Sequence, residues 1–154
     1  MTAIKIIAFV MIVVVGLVFF TLQRNGANLF QEPGFAERLS TYLTTNVAET
    51  SDDHPFPELR TPVFSVGAEK LYQRVLYVAA TSGWNVLAND RDNQDANFVA
   101  RTPVFLFEDD IYIQVKFINM NESSLYVRSS SRTGKADFAA NAGHIQKLIK
   151  GIKE

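Results

Sequence analysis

The sequence predicts an α+β protein: an antiparallel sheet of at least four strands with two helices on one face, preceded by an N-terminal transmembrane helix. Three observations carry that reading. No residue from Ile6 to Leu22 is charged, apolar residues recur at helical spacing over 68–79 and 138–152, and 111–117 alternates with period two. A length of 154 residues suits one domain. With 47% hydrophobic and 20% charged residues, the chain has the means to build a packed core, unlike a disordered one. Fifteen Lys plus Arg against 16 Asp plus Glu give a net charge of −1, which speaks against a nucleic-acid binder that must displace counterions. The absence of Cys excludes disulfide scaffolds, thiol catalysis, Cys-based zinc sites and cysteine acylation. No cofactor and no metal are expected.

The organisation divides into a transmembrane signal anchor (1–24), a connector with a short helix (25–62) and an α+β domain (63–154). Ile4 to Leu22 is interrupted only by Lys5, and its 19 residues make a helix roughly 28 Å long, close to the ~30 Å hydrocarbon core. A cleaved signal peptide is the rival reading, with Lys5 as its basic start and Ile6 to Phe20 as its apolar run. Thr21-Leu22-Gln23-Arg24 has no small-x-small cleavage pattern, which favours an uncleaved anchor. Lys5 on the short side faces Arg24 and Arg38 on the long side, so positive charge alone does not orient the segment. A short basic N-terminus before an apolar run resembles a signal anchor. The expectation is therefore a single pass of the inner membrane with the C-terminal domain extracytoplasmic.

In the connector, Phe35, Leu39, Tyr42 or Leu43, and Val47 suggest a short helix, and Glu49 to Glu58 breaks it with two prolines and four acids. A short strand is expected around Pro62 to Phe64. Ser65 is a plausible N-cap for a helix that Gly83 closes, with Ala68, Leu71, Val75, Val78 and Ala79 as its apolar stripe. Strands are expected at Trp84–Asn89, Asn97–Phe105, Asp110–Ile118 and Ser124–Arg132. A final helix runs from Lys135 to Glu154, with Phe138, Ala142, Ile145, Leu148, Ile149 and Ile152 on one side. A hairpin loop over Asn119 to Ser123 would set Tyr112 opposite Ser130, Gln114 opposite Arg128, Lys116 opposite Tyr126, and Asp110 opposite Arg132. Tyr112, Gln114, Lys116, Tyr126, Arg128 and Ser130 would then share the polar face.

Arg128-Ser-Ser-Ser-Arg132-Thr-Gly134-Lys-Ala-Asp137-Phe-Ala-Ala-Asn141, followed by Ile145, resembles the C-terminal signature of the domain-of-unknown-function family 1499. Ala100-Arg-Thr-Pro-Val-Phe105 with Phe107-Glu-Asp-Asp110 resembles an upstream block of the same family. The resemblance covers roughly residues 54–154. It implies a bacterial protein with an N-terminal hydrophobic segment, and it assigns no activity. A Cys-containing Pro-x-x-x-Asn-Cys segment common in that family has no counterpart here, which puts any role tied to it in doubt.

Several residues invite chemistry. Asp109-Asp110 beside Glu108 fits a divalent metal or an acid–base pair, against the simpler reading of Asp110 paired with Arg132 across the hairpin. His54 beside Asp52 and Asp53, and His144 in the last helix, lack spaced ligand partners. Ser129-Ser130-Ser131 contains no nucleophile elbow, and Gly134 stands without phosphate-loop companions. Arg128, Arg132 and Lys135 lead into a helix start that would attract an anion, while Asp137 as N-cap would take those amides itself. From Ser123 to Glu154 six basic and two acidic residues give +4; from Asn25 to Glu122 seven basic and fourteen acidic give −7. The candidate binding residues are Arg101, Asp110, Tyr112, Gln114, Arg128, Ser130, Arg132, Asp137 and Asn141. The expected role is a membrane-anchored binding or assembly module of the cell envelope, with an envelope protein or an anionic lipid or ligand as partner. The alternatives are a hydrolase-like enzyme using Asp109 or Asp110 with Arg101, and a purely structural envelope protein.

Overall fold

A computed structural model describes residues 2–101 and 107–154. The elements run α1 (Thr2–Arg24), α2 (Phe35–Thr44), β1 (Val47–Glu49), β2 (Val63–Phe64), α3 (Ala68–Thr81), β3 (Asn85–Asp90), β4 (Asp95–Arg101), β5 (Glu108–Asn119), β6 (Glu122–Ser131) and α4 (Ala140–Lys153). The six strands form one antiparallel sheet in the order β1-β6-β5-β4-β3, with β2 sharing the β6 edge used by β1. This is the α+β architecture expected from the sequence, two strands richer than its minimum.

The core lies between α3, α4 and one sheet face. Leu71, Val75 and Ala79 of α3 meet Ile145, Leu148 and Ile152 of α4, above Phe98, Ile111, Ile113, Leu125 and Val127. The period-two alternation puts those strand residues on one face, and burial of that face fixes the strands' orientation. Gly83 closes α3 as its spacing suggested. At φ +77° it lets its own N–H reach Ala80 and that of Trp84 reach Ala79, a Schellman closure.

Four expectations change. Ser65 is not the N-cap of α3, because Gly67 holds that position and a Cβ there would lie 2.8 Å from the Met120 carbonyl oxygen. The last helix starts at Ala140 rather than Lys135, because Phe138 and Ala139 take left-handed φ values of 53° and 69°. In the hairpin Tyr112 opposes Arg128, Gln114 opposes Tyr126, Lys116 opposes Ser124 and Asp110 opposes Ser130, two residues from the expected register. The turn is shorter than expected, since Asn119 pairs with Glu122 and the register shifts between Phe117 and Asn119. The Asn119 side chain accepts from the Asn121 N–H and donates to Glu122, which holds this tight turn. A slip of two keeps every side chain on its face. Of the expected strand Asn97–Phe105, the residues after Arg101 lie outside the described residues.

The stretch read as connector packs into the fold. Tyr42, Phe56 and Leu59 are core residues, and β1 hydrogen-bonds along β6. Arg38, fully buried, pairs with Glu58 at 2.6 Å and also donates to Tyr42 and to the Gln31 and Glu32 carbonyls. Helix α1 ends in a second Schellman closure at Gly26, and its last turn enters the core through Leu22, which is 0% exposed.

Candidate functional site

On the inner face, the apolar alternation of β6 gives way to Ser129 and Ser131, and α4 meets them with Asn141. Asn141 is fully buried. Its Oδ1 accepts from Ser129 Oγ at 2.6 Å, and its Nδ2 contacts the Asn46 carbonyl, Ser131 Oγ and Asp137 Oδ2 at 2.8, 3.0 and 2.7 Å. Asp137 in turn accepts from the Ala139 and Asn141 N–H groups, each at 3.0 Å. These bonds hold the left-handed pair Phe138–Ala139, a backbone state that non-glycine residues reach only at some cost. Asp137 therefore supports the helix start from three positions ahead, although Ala139 is the N-cap. Burial pushes its carboxyl above the ordinary range, against the opposing pull of the Asn141 and Ala139 donors.

Beside this network lies a pair that sequence reasoning missed. Asp109, 1% exposed, points inward with Ile111 and Ile113 and sits 3.0 Å from His144 Nε2. Trp84 packs edge-on against the same imidazole at 5.8 Å. The signal was present in the strand parity, which sets position 109 on the core face with 111 and 113. Asp109 and Asp110 consequently lie on opposite faces of the sheet and do not form a carboxylate pair. Among the described residues no group of three or more His, Asp or Glu side chains is placed to hold a metal ion.

The outer face carries most of the candidate binding residues. Across it run the rows Asn97–Tyr112–Arg128–Glu49 and Asp95–Gln114–Tyr126. Tyr112 and Tyr126 meet edge to face at 6.2 Å, and the Lys116 ammonium lies 5.8 Å from the Tyr126 ring centre. Tyr126 donates to Glu49 at 2.7 Å, and Arg128 approaches the same carboxylate at 3.8 Å. Burial, reinforced by the Glu49 hydrogen bond and charge, pushes the Tyr126 hydroxyl up to about 12. At one end of the face an ionic ladder crosses three strands. Arg101 pairs with Glu108 at 2.7 Å, Glu108 with Arg132, and Arg132 with Asp110 at 2.7 Å. The Arg132–Asp110 pairing is the simpler of the two readings given to Asp110 above. Hydrogen bonding from Arg101, and the charge of Arg132, hold the Glu108 carboxyl below its ordinary value.

Arg101, Asp110 and Arg132 thus converge, Arg128 joins Glu49 instead, and Asp137 and Asn141 belong to the opposite side of the sheet. A cleft of about 530 Å³ between α2, β1 and the start of α4 is lined by Tyr42, Asn46, Glu49, His54, Phe56 and Asp137 among others. None of Arg101, Asp110, Arg128 or Arg132 reaches it. Burial lowers the His54 imidazole, against an opposing pull from the Glu58 carboxylate.

A comparison with curated proteins finds no match. A family model described as a protein of unknown function (DUF1499) matches residues 34–152, from the residue before α2 to the last turn of α4. The match takes in β1, the Asn141 network and both faces of the sheet, and the chain belongs to this DUF1499 family.

Proposed function

We propose that the protein is a membrane-anchored binding module whose outer sheet face engages an anionic component of the cell envelope. The observation that carries the reading is the polar face itself. Both helices that cover the sheet, α3 and α4, lie on its other side, and the outer face pairs two tyrosines with Lys116 and Arg128. Aromatic and Arg side chains concentrate in binding hot spots, where they bring large contact area and directional hydrogen bonding.

The anchor half of the reading is supported by α1. Ala3–Arg24 is long and apolar enough to cross a membrane, and a signal sequence passes the same test of length and composition. One feature of the fold supports the anchor. Leu22 is fully buried in the domain. Removing the segment would take this side chain from the core, which favours a retained helix over a cleaved signal peptide. The likeness of the short basic N-terminus and apolar run to a signal anchor supports an extracytoplasmic domain at the inner membrane.

The test of the face is the double variant Tyr112→Ala/Arg128→Ala in the full chain, purified from native membranes in mild detergent. Components that copurify with the wild type, and salt-sensitive binding to vesicles containing phosphatidylglycerol, should be lost while the melting curve is kept. Unchanged retention of both would refute the face as the site. For topology, a periplasm-active reporter after Glu154 should be on and a cytoplasm-active one off, and the reverse pattern would overturn the orientation.

A further inference from the structure

Three phenylalanines bring the domain and the apolar helix together. Phe35, at the first position of α2, stacks on Phe19 of α1 with centroids 6.5 Å apart and planes 8° from parallel. Phe30 stacks on Phe35 at 5.6 Å with planes 19° apart. Phe30 sits in the turn closed by the Gln31 N–H on the Asn28 carbonyl, and this turn buries Leu29 while leaving Phe30 87% exposed.

Phe19 fixes the depth of this stack. It lies five residues before the end of α1, about 7.5 Å along the helix axis. On the proposed reading that α1 spans the bilayer, Phe19 is at the edge of the hydrocarbon layer, with the Phe35 ring 6.5 Å from it and the Phe30 ring 5.6 Å beyond Phe35. Thr21 returns its hydroxyl to the Leu17 carbonyl at 2.8 Å, so this last stretch meets lipid with the polar group satisfied. The junction is also rigid in kind. A Cβ on Gly143 would lie 2.5 Å from the Asn25 carbonyl oxygen, so α4 is pressed directly against the end of α1. The domain has no free tether on which to lift away.

From this geometry we infer that Phe30 and Phe35 form a second membrane contact, seating the 27–35 loop in the interfacial layer of the bilayer. The exposed apolar surface is continuous with that of α1 through the Phe19–Phe35 stack, which is why the occupant is lipid. Large exposed apolar patches on a folded protein mark such contacts. The contact would hold the head at one height and tilt, and so set which way the outer sheet face points. The inference rests on the anchor reading and is independent of what binds the sheet.

The absence of native cysteine makes the test direct. Single nitroxide labels are placed at Val10→Cys in α1, at Phe30→Cys and Gln31→Cys in the loop, and at Tyr77→Cys on exposed α3. The full chain is reconstituted in phosphatidylcholine–phosphatidylglycerol vesicles, and collision rates with oxygen and with a water-soluble nickel chelate are measured. Labels 30 and 31 should show several-fold less nickel collision than label 77 and more oxygen collision, intermediate towards label 10. Equal nickel access at 30, 31 and 77 with label 10 in lipid would overturn the seating alone. Shielding of 30 and 31 from both reagents would assign the patch to a second copy or a protein partner and overturn it too. Nickel access at label 10 would remove the anchor reading and the seating together.

Discussion

Substituting Asn141 by alanine should be among the most destabilising single changes outside the apolar core. The side chain is fully buried and joins β6, α4, the Asn46 turn and Asp137. The amide has two N–H donors to share among three acceptors, so two neutral bonds at about 1 kcal/mol each and one to a carboxylate at about 1.5–3 sum to about 3.5–5 kcal/mol. Serine hydroxyls can rotate toward new acceptors and recover part of this, which leaves about 2.5–4 kcal/mol. That is a large share of a typical stability of about 5–15 kcal/mol. The loss should also depend on pH. Burial raises the Asp137 carboxyl, and the Asn141 and Ala139 donors oppose that rise. An acid whose folded pKa exceeds its unfolded value takes up a proton on folding, so native stability from this group grows as the pH falls and is lost as it rises through the folded pKa. Without the Asn141 amide the folded pKa climbs further, and the variant should regain part of its deficit in acid. Urea unfolding of the full chain in mild detergent measures both effects. Trp84, the sole tryptophan, reports from its place against Phe98 and His144. A loss below about 1 kcal/mol, or a deficit independent of pH, would refute this account of the network, and Lys116→Ala serves as a surface control expected within about 0.5 kcal/mol.

Glu58→Ala leaves the buried Arg38 guanidinium without its carboxylate and should cost about 3–5 kcal/mol in the same assay. Burial raises the Glu58 carboxyl, but hydrogen bonds led by Arg38 outweigh it and hold the group below its ordinary value of 4.5. Its contribution is therefore present above that value and lost as the pH falls through the folded pKa, so the variant's acid limb should be flatter than the wild type's. Gly143→Ala should loosen the seam between α1 and α4 and cost about 1–3 kcal/mol. Gly16→Ala, where an added Cβ meets nothing within 4 Å, should change detergent melts little. Equal effects of the two glycine variants would refute the close approach at Asn25.

What the sequence disclosed follows the range of the forces involved. Helices α3 and α4 and strands β5 and β6 were legible because their periodicity is local and long enough to repeat. Strand β1, three residues long, has no period to read, and it exists because Thr50 and its neighbours find β6. The hairpin register failed by two because it is set by a side chain, Asn119, that tightens the turn. The faces survived that error, since parity is insensitive to an even slip. The same parity rule carries the least visible feature of the candidate site. Asp109, Ser129 and Ser131 are polar residues at core-facing strand positions. A buried polar side chain must find partners, because leaving it unpaired costs more than a hydrogen bond returns. Such residues on a strand therefore announce a matching polar group on whatever covers it. Here the covering helix supplies two, Asn141 and His144, one turn apart, where its first turns cross the end of the sheet. The spacing of 3 between them sets both on one side of α4. Within the family signature, Ser129, Ser131, Asp137 and Asn141 thus read as the seam that fixes helix to sheet, while Arg128 and Arg132 face outward toward Glu49 and Asp110.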